Sequence, residues 1–269
     1  MDRYDIIIPA CNEEKSILAV LATVLSLPVS RIICIVNGCI DRTQELICSI
    51  PDPRLEILSF EQPLGIDIPR AIGALYARHT NSPGILIVDG DMSGEISGNL
   101  RDLLNALDSG VDIALTNCYP YITHRAQFAN LVLKARSRLN QALGLFPALG
   151  LATPTHGPHA LSAKALDFLP SFSLAIPPLT LYYGQEASLD IQVATSIPHH
   201  KLHSPLKGRR HARLIGETII GDCQMALCLA QGLPPSRMIG KHDLLGYHPQ
   251  RRFDQLEQME IELKQHPLP

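Results

Sequence analysis

The sequence predicts an α/β fold in which helices cover both faces of a mostly parallel β-sheet. Several short runs in the first half are apolar throughout, as is typical of strands buried on both faces. Segments with helical patterns separate these runs, and that alternation favours parallel strands joined by crossover helices. The chain has 269 residues, 46% of them apolar and 18% charged, so it is large enough to bury such a sheet.

The elements of the first half follow directly from these runs. Strands are predicted at residues 5–8, 31–36, 55–59 and 85–88. The helices between them are predicted from Asn12 to about Leu27, from about Thr43, and from Ile68 to His79. Asn12 is expected to cap the first helix, with an acidic residue at 13 near the positive end of its dipole.

The second half is less regular. We predict a strand at 114–116, a long helix at 127–143, a loop at 145–158 and a short helix at 162–169. A loop at 170–183, a helix at 185–194 and a helix at 212–231 follow. The polar end, with a helix near 253–264, is predicted to be an arm or an oligomer contact, which makes a homodimer plausible.

Composition excludes several classes of protein. The formal charge of −3 gives no overall attraction to nucleic acid. The seven cysteines are dispersed and odd in number, which favours buried thiols in a reducing compartment. No signal-peptide pattern and no membrane-length apolar run are visible. We therefore expect a cytoplasmic protein without a membrane span or a nucleic-acid partner.

The most informative motif is Asp89-Gly90-Asp91, directly after the apolar run that ends at Val88. Ligands of parallel sheets bind outside the carboxyl ends of the strands, where Asn12, Asn37 and Asp41 are also predicted to lie. Two carboxylates one residue apart can hold a ribose and a divalent cation, and oxygen ligands suit Mg²⁺ or Mn²⁺. A plain surface turn is the alternative interpretation of the motif taken alone.

Four motifs together resemble the nucleotide-sugar-binding half of family-two-like GT-A glycosyltransferases. They are Ile8–Glu14 (IPACNEE), Val36–Thr43, Leu64–Asp67 and Asp89–Asp91. Further along, the segments Pro154–Ala160 and Tyr183–Glu186 are more weakly similar to glucosyl-3-phosphoglycerate synthases. Those are retaining enzymes.

The resemblance implies a GT-A fold with a smaller helical and loop region for the acceptor. Residues 1–117 would form the nucleotide-sugar-binding half, 118–232 the acceptor-binding half of the same domain, and 233–269 a C-terminal arm. The implied donor-binding residues are Pro9, Ala10, Asn12, Glu13, Asn37, Asp41, Gly65, Arg70, Asp89 and Gly90. The implied acceptor-binding residues are Thr155, His156, Gly157 and Arg209. The implied metal ligands are Asp91 and His211, and the implied catalytic residues are Asp91 and Glu186.

Two positions depart from the family pattern. Asn37 stands where the family has an acid, and Ile66 stands where a basic residue often lies, with Arg70 one turn later as its replacement. The expected function is metal-dependent transfer of a sugar from a UDP- or GDP-sugar to a small anionic acceptor such as a glycerate derivative, with retention of configuration. An inverting transferase acting on a polyprenyl phosphate, a sugar-phosphate nucleotidyltransferase and a non-catalytic nucleotide-sugar-binding module are the alternatives.

Overall fold

A computed structural model describes residues 4–121, 127–205 and 207–265 and is built around one seven-stranded sheet. The strands of the sheet are β1 (Asp5–Ala10), β2 (Arg31–Asn37), β3 (Leu55–Phe60), β4 (Gly84–Ile87), β5 (Ile113–Asn117), β6 (His159–Ser162) and β7 (Ile191–Ser196). A small hairpin adds β8 (Met238–Ile239) and β9 (His242–Asp243).

Helices connect and cover these strands. In chain order they are α1 (Ile17–Leu25), α2 (Thr43–Cys48), α3 (Ile68–His79), α4 (Ser97–Asp108), α5 (Gln127–Ala142), α6 (Phe146–Leu149), α7 (Ala163–Phe168), α8 (Ser171–Ala175), α9 (Pro178–Glu186), α10 (Arg209–Ala230) and α11 (Phe253–Gln265).

The sheet order is β3-β2-β1-β4-β6-β5-β7, and only β6 runs antiparallel to its neighbours. The carboxyl ends of the other six strands therefore meet at one edge, which we call the carboxyl edge. The mostly parallel α/β fold expected from the sequence is confirmed. Successive residues of β1 pack into opposite core layers: Ile7 faces the layer of α3 and α9, whereas Ile6 and Ile8 face that of α1 and α4.

Strands β1 to β4 and helices α2 and α3 match their predicted positions to within about two residues, whereas α4 was not predicted. Helix α1 begins at Ile17 rather than directly after Asn12, so the expected N-cap was wrong. Asn12 has a left-handed backbone (φ 58°), and its side-chain oxygen accepts a hydrogen bond from the Ile40 amide at 2.9 Å. A side chain committed to the next loop cannot cap the helix.

The second half contains the larger errors. The loop predicted at 170–183 contains α8 and most of α9, because prolines at the first turn of a helix are tolerated and do not end it. The helix predicted at 185–194 is the end of α9 followed by β7, in which Ile191 pairs with Ile113 of β5. Strand β6 was missed because it directly follows a Pro- and Gly-rich stretch and its residues, His-Ala-Leu-Ser, include no β-branched aliphatic run.

The C-terminal segment packs against the domain. Helix α11 contacts α3 and α8. Just before it, the Arg252 amide donates to the Leu64 carbonyl at 2.9 Å, and Arg251 Nε donates to the Ile66 carbonyl at 3.3 Å. Within the described ranges, no helix is long and apolar enough to cross a membrane.

Candidate active site at the carboxyl edge

The Asp89-Gly90-Asp91 turn is fixed against the end of β1. The Gly90 amide donates to the Pro9 carbonyl at 3.0 Å, which continues the pairing of β4 with β1 beyond the strand. A Cβ at Gly90 would lie 3.1 Å from that carbonyl oxygen, so glycine allows the close approach. The two carboxylates are thereby presented beside Pro9 and Ala10 at the carboxyl edge.

Asp91 lies in a strongly acidic environment. Its pKa is raised to about 6, first by burial and then by the negative charges of Asp89 and Glu13. The Ser204 hydroxyl donates to its Oδ1 at 3.2 Å, and the charge of Lys207 partly opposes the rise. This carboxylate would gain from a cation placed next to it.

Glu13 is buried and forms an ion pair with Lys207, which comes from the loop that precedes α10. Its backbone amide donates to Thr43 Oγ1 at 2.7 Å, so the β1–α1 and β2–α2 loops are joined. Ser16 Oγ joins Glu13 Oε2 to the Gly90 carbonyl, at 3.2 and 2.9 Å. Hydrogen bonds thus connect three loops of the carboxyl edge.

Asp89 is held by a chain of buried and half-buried charges that we call the arginine–carboxylate chain. It consists of Asp89, Arg70, Asp67, Arg251, Asp222 and Arg237. Arg70 Nε donates to Asp89 at 3.0 Å, and its Nη1 donates to Asp67 at 3.0 Å. Burial alone would lower the pKa of Arg70, but Asp89 and Asp67 raise it overall, so the guanidinium remains charged.

Arg251 forms the middle of this chain. It donates to Asp67 at 2.7 Å and to both oxygens of Asp222 at 2.7 and 2.8 Å. Asp222 also accepts from Arg237. The chain therefore connects the C-terminal segment to the carboxylate that the sequence predicted for the ribose.

Asn37 and Gly65 shape the loop between β3 and α3. Asn37 Oδ1 accepts from the Leu64 amide at 2.6 Å, and its Nδ2 donates to the Gly65 carbonyl at 3.2 Å. Only an amide can make both bonds, because a carboxylate has no donor. Gly65 has a φ of +84°, and a Cβ there would clash with the Gln250 carbonyl. The C-terminal segment therefore needs glycine at this position.

Asp41 is fixed at the end of the β2–α2 loop. Burial would raise its pKa, but hydrogen bonds from the Thr43 hydroxyl at 2.6 Å and from backbone amides lower it overall. One of these amides is that of Glu14, at 3.0 Å. The carboxylate is thus oriented by the start of the β1–α1 loop, next to Asn12.

The predicted acceptor residues lie further along the same edge. His156 Nδ1 is 3.2 Å from Tyr119 Oη, and its Nε2 is 2.9 Å from His199 Nδ1. Thr155 hydrogen-bonds Thr153 at 2.7 Å. Gly157 has a φ of +80°, and a Cβ there would lie 2.6 Å from Cys118 Sγ. Tyr119 follows β5 and His199 follows β7, so this group lies over the β5–β7 part of the sheet.

Two other predicted residues lie at the start of α10. Arg209 is its exposed first residue, and no hydrogen bond or ion pair between described residues joins it to Thr155, His156 or Gly157. His211 Nδ1 is 2.9 Å from Tyr247 Oη, and burial, followed by the charge of Lys207, lowers the pKa of its ring. The hydrogen bond from this region to Asp91 comes from Ser204.

The structure does not bring Glu186 to this edge. It is the last, exposed residue of α9, and β7 begins five residues later at Ile191, beside the amino end of β5. Because the sheet is parallel there, the end of α9 lies at the edge opposite to Asp89. This placement contradicts the expected catalytic contact of Glu186.

The sequence matches the family described as Glycosyl transferase family 2 over residues 5–166. The chain belongs to glycosyl transferase family 2. The match includes β1 to β4, the acidic turn and the loop that carries His156. The protein is therefore a glycosyltransferase, and its GT-A sheet confirms the resemblance seen in the sequence.

Solved structures with the same fold include glucosyl-3-phosphoglycerate synthase from Mycobacterium tuberculosis. In its complex with Mn²⁺, UDP and phosphoglyceric acid, it is 19% identical with a TM-score of 0.61, over 87% of this chain and 80% of that one. Its complex with UDP gives 18% identity and a TM-score of 0.59, over 87% and 81%. A structure described only as a mycobacterial protein gives 17% and 0.59, over 87% and 76%. No curated protein matches the sequence.

The donor atoms at the acidic turn fit a divalent cation of the Mg²⁺ or Mn²⁺ type in this family-2 glycosyltransferase. Among the described residues, no three His, Cys, Asp or Glu side chains converge to form a complete protein site. Such cations are commonly bound by one or two carboxylates, with the remaining positions filled by water and substrate phosphates. The crowded carboxylate of Asp91 matches that pattern.

Sequence reasoning missed the groups that orient these acids. Lys207 and Ser204 belong to a segment more than a hundred residues from the motif, and Arg251 lies in a stretch predicted to be an arm. The basic run at 207–211 was a visible signal, but nothing in the sequence identified Glu13 as its partner. In the glycosyltransferase, these long-range contacts orient the acidic residues that the motifs place at the carboxyl edge.

Proposed function

We propose that this glycosyltransferase transfers a sugar from a UDP- or GDP-sugar to a small anionic acceptor such as a glycerate derivative, with Mg²⁺ or Mn²⁺ bound. The observation that carries this proposal is the crowding of Asp91 by Asp89 and Glu13, which a divalent cation would relieve. The bound ligands of the similar mycobacterial synthase, Mn²⁺, UDP and phosphoglyceric acid, support it.

On the donor side, the chain's own residues would orient the nucleotide. Asp89, both of whose oxygens accept from the Arg70 guanidinium, would face the ribose in a fixed direction. Asp41 would accept a hydrogen bond from the base, beside Pro9, Ala10, Asn12 and Gly90. Asn37 and Gly65 would act by fixing the loop in front of α3 rather than by contact, since both amide atoms of Asn37 are already used. Preorganised groups of this kind favour the bound geometry.

At the leaving group, Asp91 would bind the cation, with His211 as the predicted second ligand. The bound ion would supply positive charge to the departing diphosphate. Lys207, which is paired with Glu13, would place a second positive charge near the diphosphate.

On the acceptor side, Thr155, His156 and Gly157 would line the approach to the sugar, and Arg209 at the start of α10 would attract a negatively charged molecule. An inverting reaction needs a base on the acceptor side of the sugar. The position of Glu186 at the opposite edge removes the carboxylate predicted for that role and favours retention.

The direct test is turnover with defined donors. The purified full chain is incubated with UDP- and GDP-sugars, Mn²⁺ and either glycerate or 3-phosphoglycerate, and released nucleotide and product are measured by chromatography and mass spectrometry. We expect Mn²⁺-dependent release of UDP or GDP together with a glycosylated acceptor whose anomeric configuration is retained. Release of pyrophosphate, or binding of donor without any turnover, would contradict the proposal.

A further inference from the structure

Arg136 on α5 is a buried cation without a hydrogen-bonded counter-charge. Its side chain is only 1% exposed. Within residues 4–121, 127–205 and 207–265, neither its Nε nor its Nη2 has a hydrogen-bond partner. The other buried arginines described here, Arg237 and Arg251, both donate to Asp222. A buried charge without a partner is costly, so such a group indicates a role outside folding.

The groups around Arg136 cannot neutralise it. Its guanidinium carbon lies 5.1 Å from the centroid of the Tyr119 ring, a cation–π contact without a formal negative charge. Its charge also acts on two buried thiols, Cys118 and Cys223. Burial raises the pKa of both to about 12, so both remain neutral at physiological pH. Nε and Nη2 of Arg136 therefore have no anionic partner among the described residues.

This cation lies next to the part of the carboxyl edge assigned to the acceptor. Tyr119, which covers it, follows β5 and hydrogen-bonds His156, which in turn contacts His199 after β7. The acids of the donor side lie over β1 and β4 in the same edge. A sugar held between the two regions would have its acceptor on the side of Arg136.

We propose that Arg136 binds the anionic group, a carboxylate or a phosphate, of the acceptor molecule. The inference rests on the proposed function, because it names the residue that would recognise the acceptor of that same reaction. A guanidinium with free Nε and Nη2 matches the two oxygens of either group in a bidentate arrangement.

The test uses the full chain and two probes, inorganic phosphate and glycerate, titrated at constant ionic strength. Thermal shift and calorimetry are measured for the wild type, Arg136→Gln and Arg138→Gln. Arg138 is an exposed residue of the same helix, so it controls for the loss of one positive charge. We expect saturable binding of at least one probe to the wild type and to Arg138→Gln, and at least tenfold weaker binding to Arg136→Gln.

Equal binding by both variants, or no saturable binding by the wild type, would overturn the inference. A crystal of the wild type grown with phosphate gives a second reading that does not depend on whether a variant folds. The anion is expected within hydrogen-bond distance of Arg136 Nε or Nη2, and an anion found only elsewhere overturns it.

Binding of UDP with Mn²⁺ is measured in parallel and should be unchanged in Arg136→Gln. If the wild type does not bind UDP with Mn²⁺, the donor side of the proposed function is contradicted. Loss of the Arg136-dependent anion effect alone would contradict only the assignment of Arg136.

Discussion

Two buried guanidinium groups have opposite surroundings. Arg251, on the donor side, has a fully buried side chain and donates to the carboxylates of Asp67 and Asp222. Arg136, on the acceptor side, has an Nε and an Nη2 without a hydrogen-bond partner among the described residues, and it lies against the Tyr119 ring. The contrast shows two uses of a buried charge. On the donor side, Arg251 orients the protein's own carboxylates before substrate binds. On the acceptor side, the proposed role of Arg136 is to bind a ligand.

The largest effect is expected from changing Asp91, the donor-side acid proposed to bind the cation. Asp91→Asn keeps the shape of the side chain but removes its charge, and should lower Mn²⁺-dependent turnover by on the order of 10³-fold, because metal charge on the leaving group contributes several kcal/mol. Initial rates over a range of Mn²⁺ concentrations measure it. Glu95→Gln, an exposed position four residues away, is the matched control. Equal activity of both variants would contradict the assignment of Asp91.

The next effect tests whether the arginine–carboxylate chain is structural. Arg251→Met leaves Asp67 and Asp222 short of a buried partner and should lower the free energy of unfolding by about 3–5 kcal/mol. Arg252→Met removes a cation from an exposed pair with Asp254 and should change it little. Urea denaturation of both variants measures the difference. A loss of similar size in both would contradict the comparison between the regions.

A smaller effect is expected at Asn37. Asn37→Asp restores the acid of the family pattern, but it removes the donor to the Gly65 carbonyl and sets an anion against that oxygen. The free energy of unfolding should fall by about 1–3 kcal/mol. Asn105→Asp, on the exposed face of α4, is the control for the added charge. An unchanged midpoint of urea denaturation would show that the loop does not depend on the amide.

The smallest expected effect, that of replacing Arg136, is the most direct test of the contrast between Arg136 and Arg251. Arg136→Met replaces a buried cation without a counter-charge by an apolar chain of similar length, so the free energy of unfolding should stay within about 1 kcal/mol of the wild type or rise. Arg138→Met is the control. A loss as large as that expected for Arg251→Met would show that Arg136 is structural after all.

The sequence predicted the first half of the fold better than the second half. The strands β1 to β4 could be located because unbroken apolar runs have few other interpretations, and their motifs therefore fell at one edge. Strand β7 was assigned to a helix because Ile191 and Val193 follow an alanine- and leucine-containing stretch that suits both periods. The tyrosine–glycine motif before Glu186 then gave a role to a residue that the topology places at the other edge.

The partners of the site residues were beyond prediction for a different reason. Arg251 and Asp67 are separated by 184 positions, and Lys207 and Glu13 by 194. Local periodicity and capping rules say nothing about pairs at that distance. Single charged residues in polar stretches also look alike until the fold shows which of them are buried.

The distance between Asp67 and Arg251 also has a consequence for biosynthesis. A ribosome delivers β1 to β4 long before residue 251, so the early sheet is made while Asp67 lacks this cation. We expect the nascent chain to hold a formed early sheet but a loosely oriented Asp89 until Arg251 has emerged. Competence for substrate would then arise only after residue 251 has been synthesised.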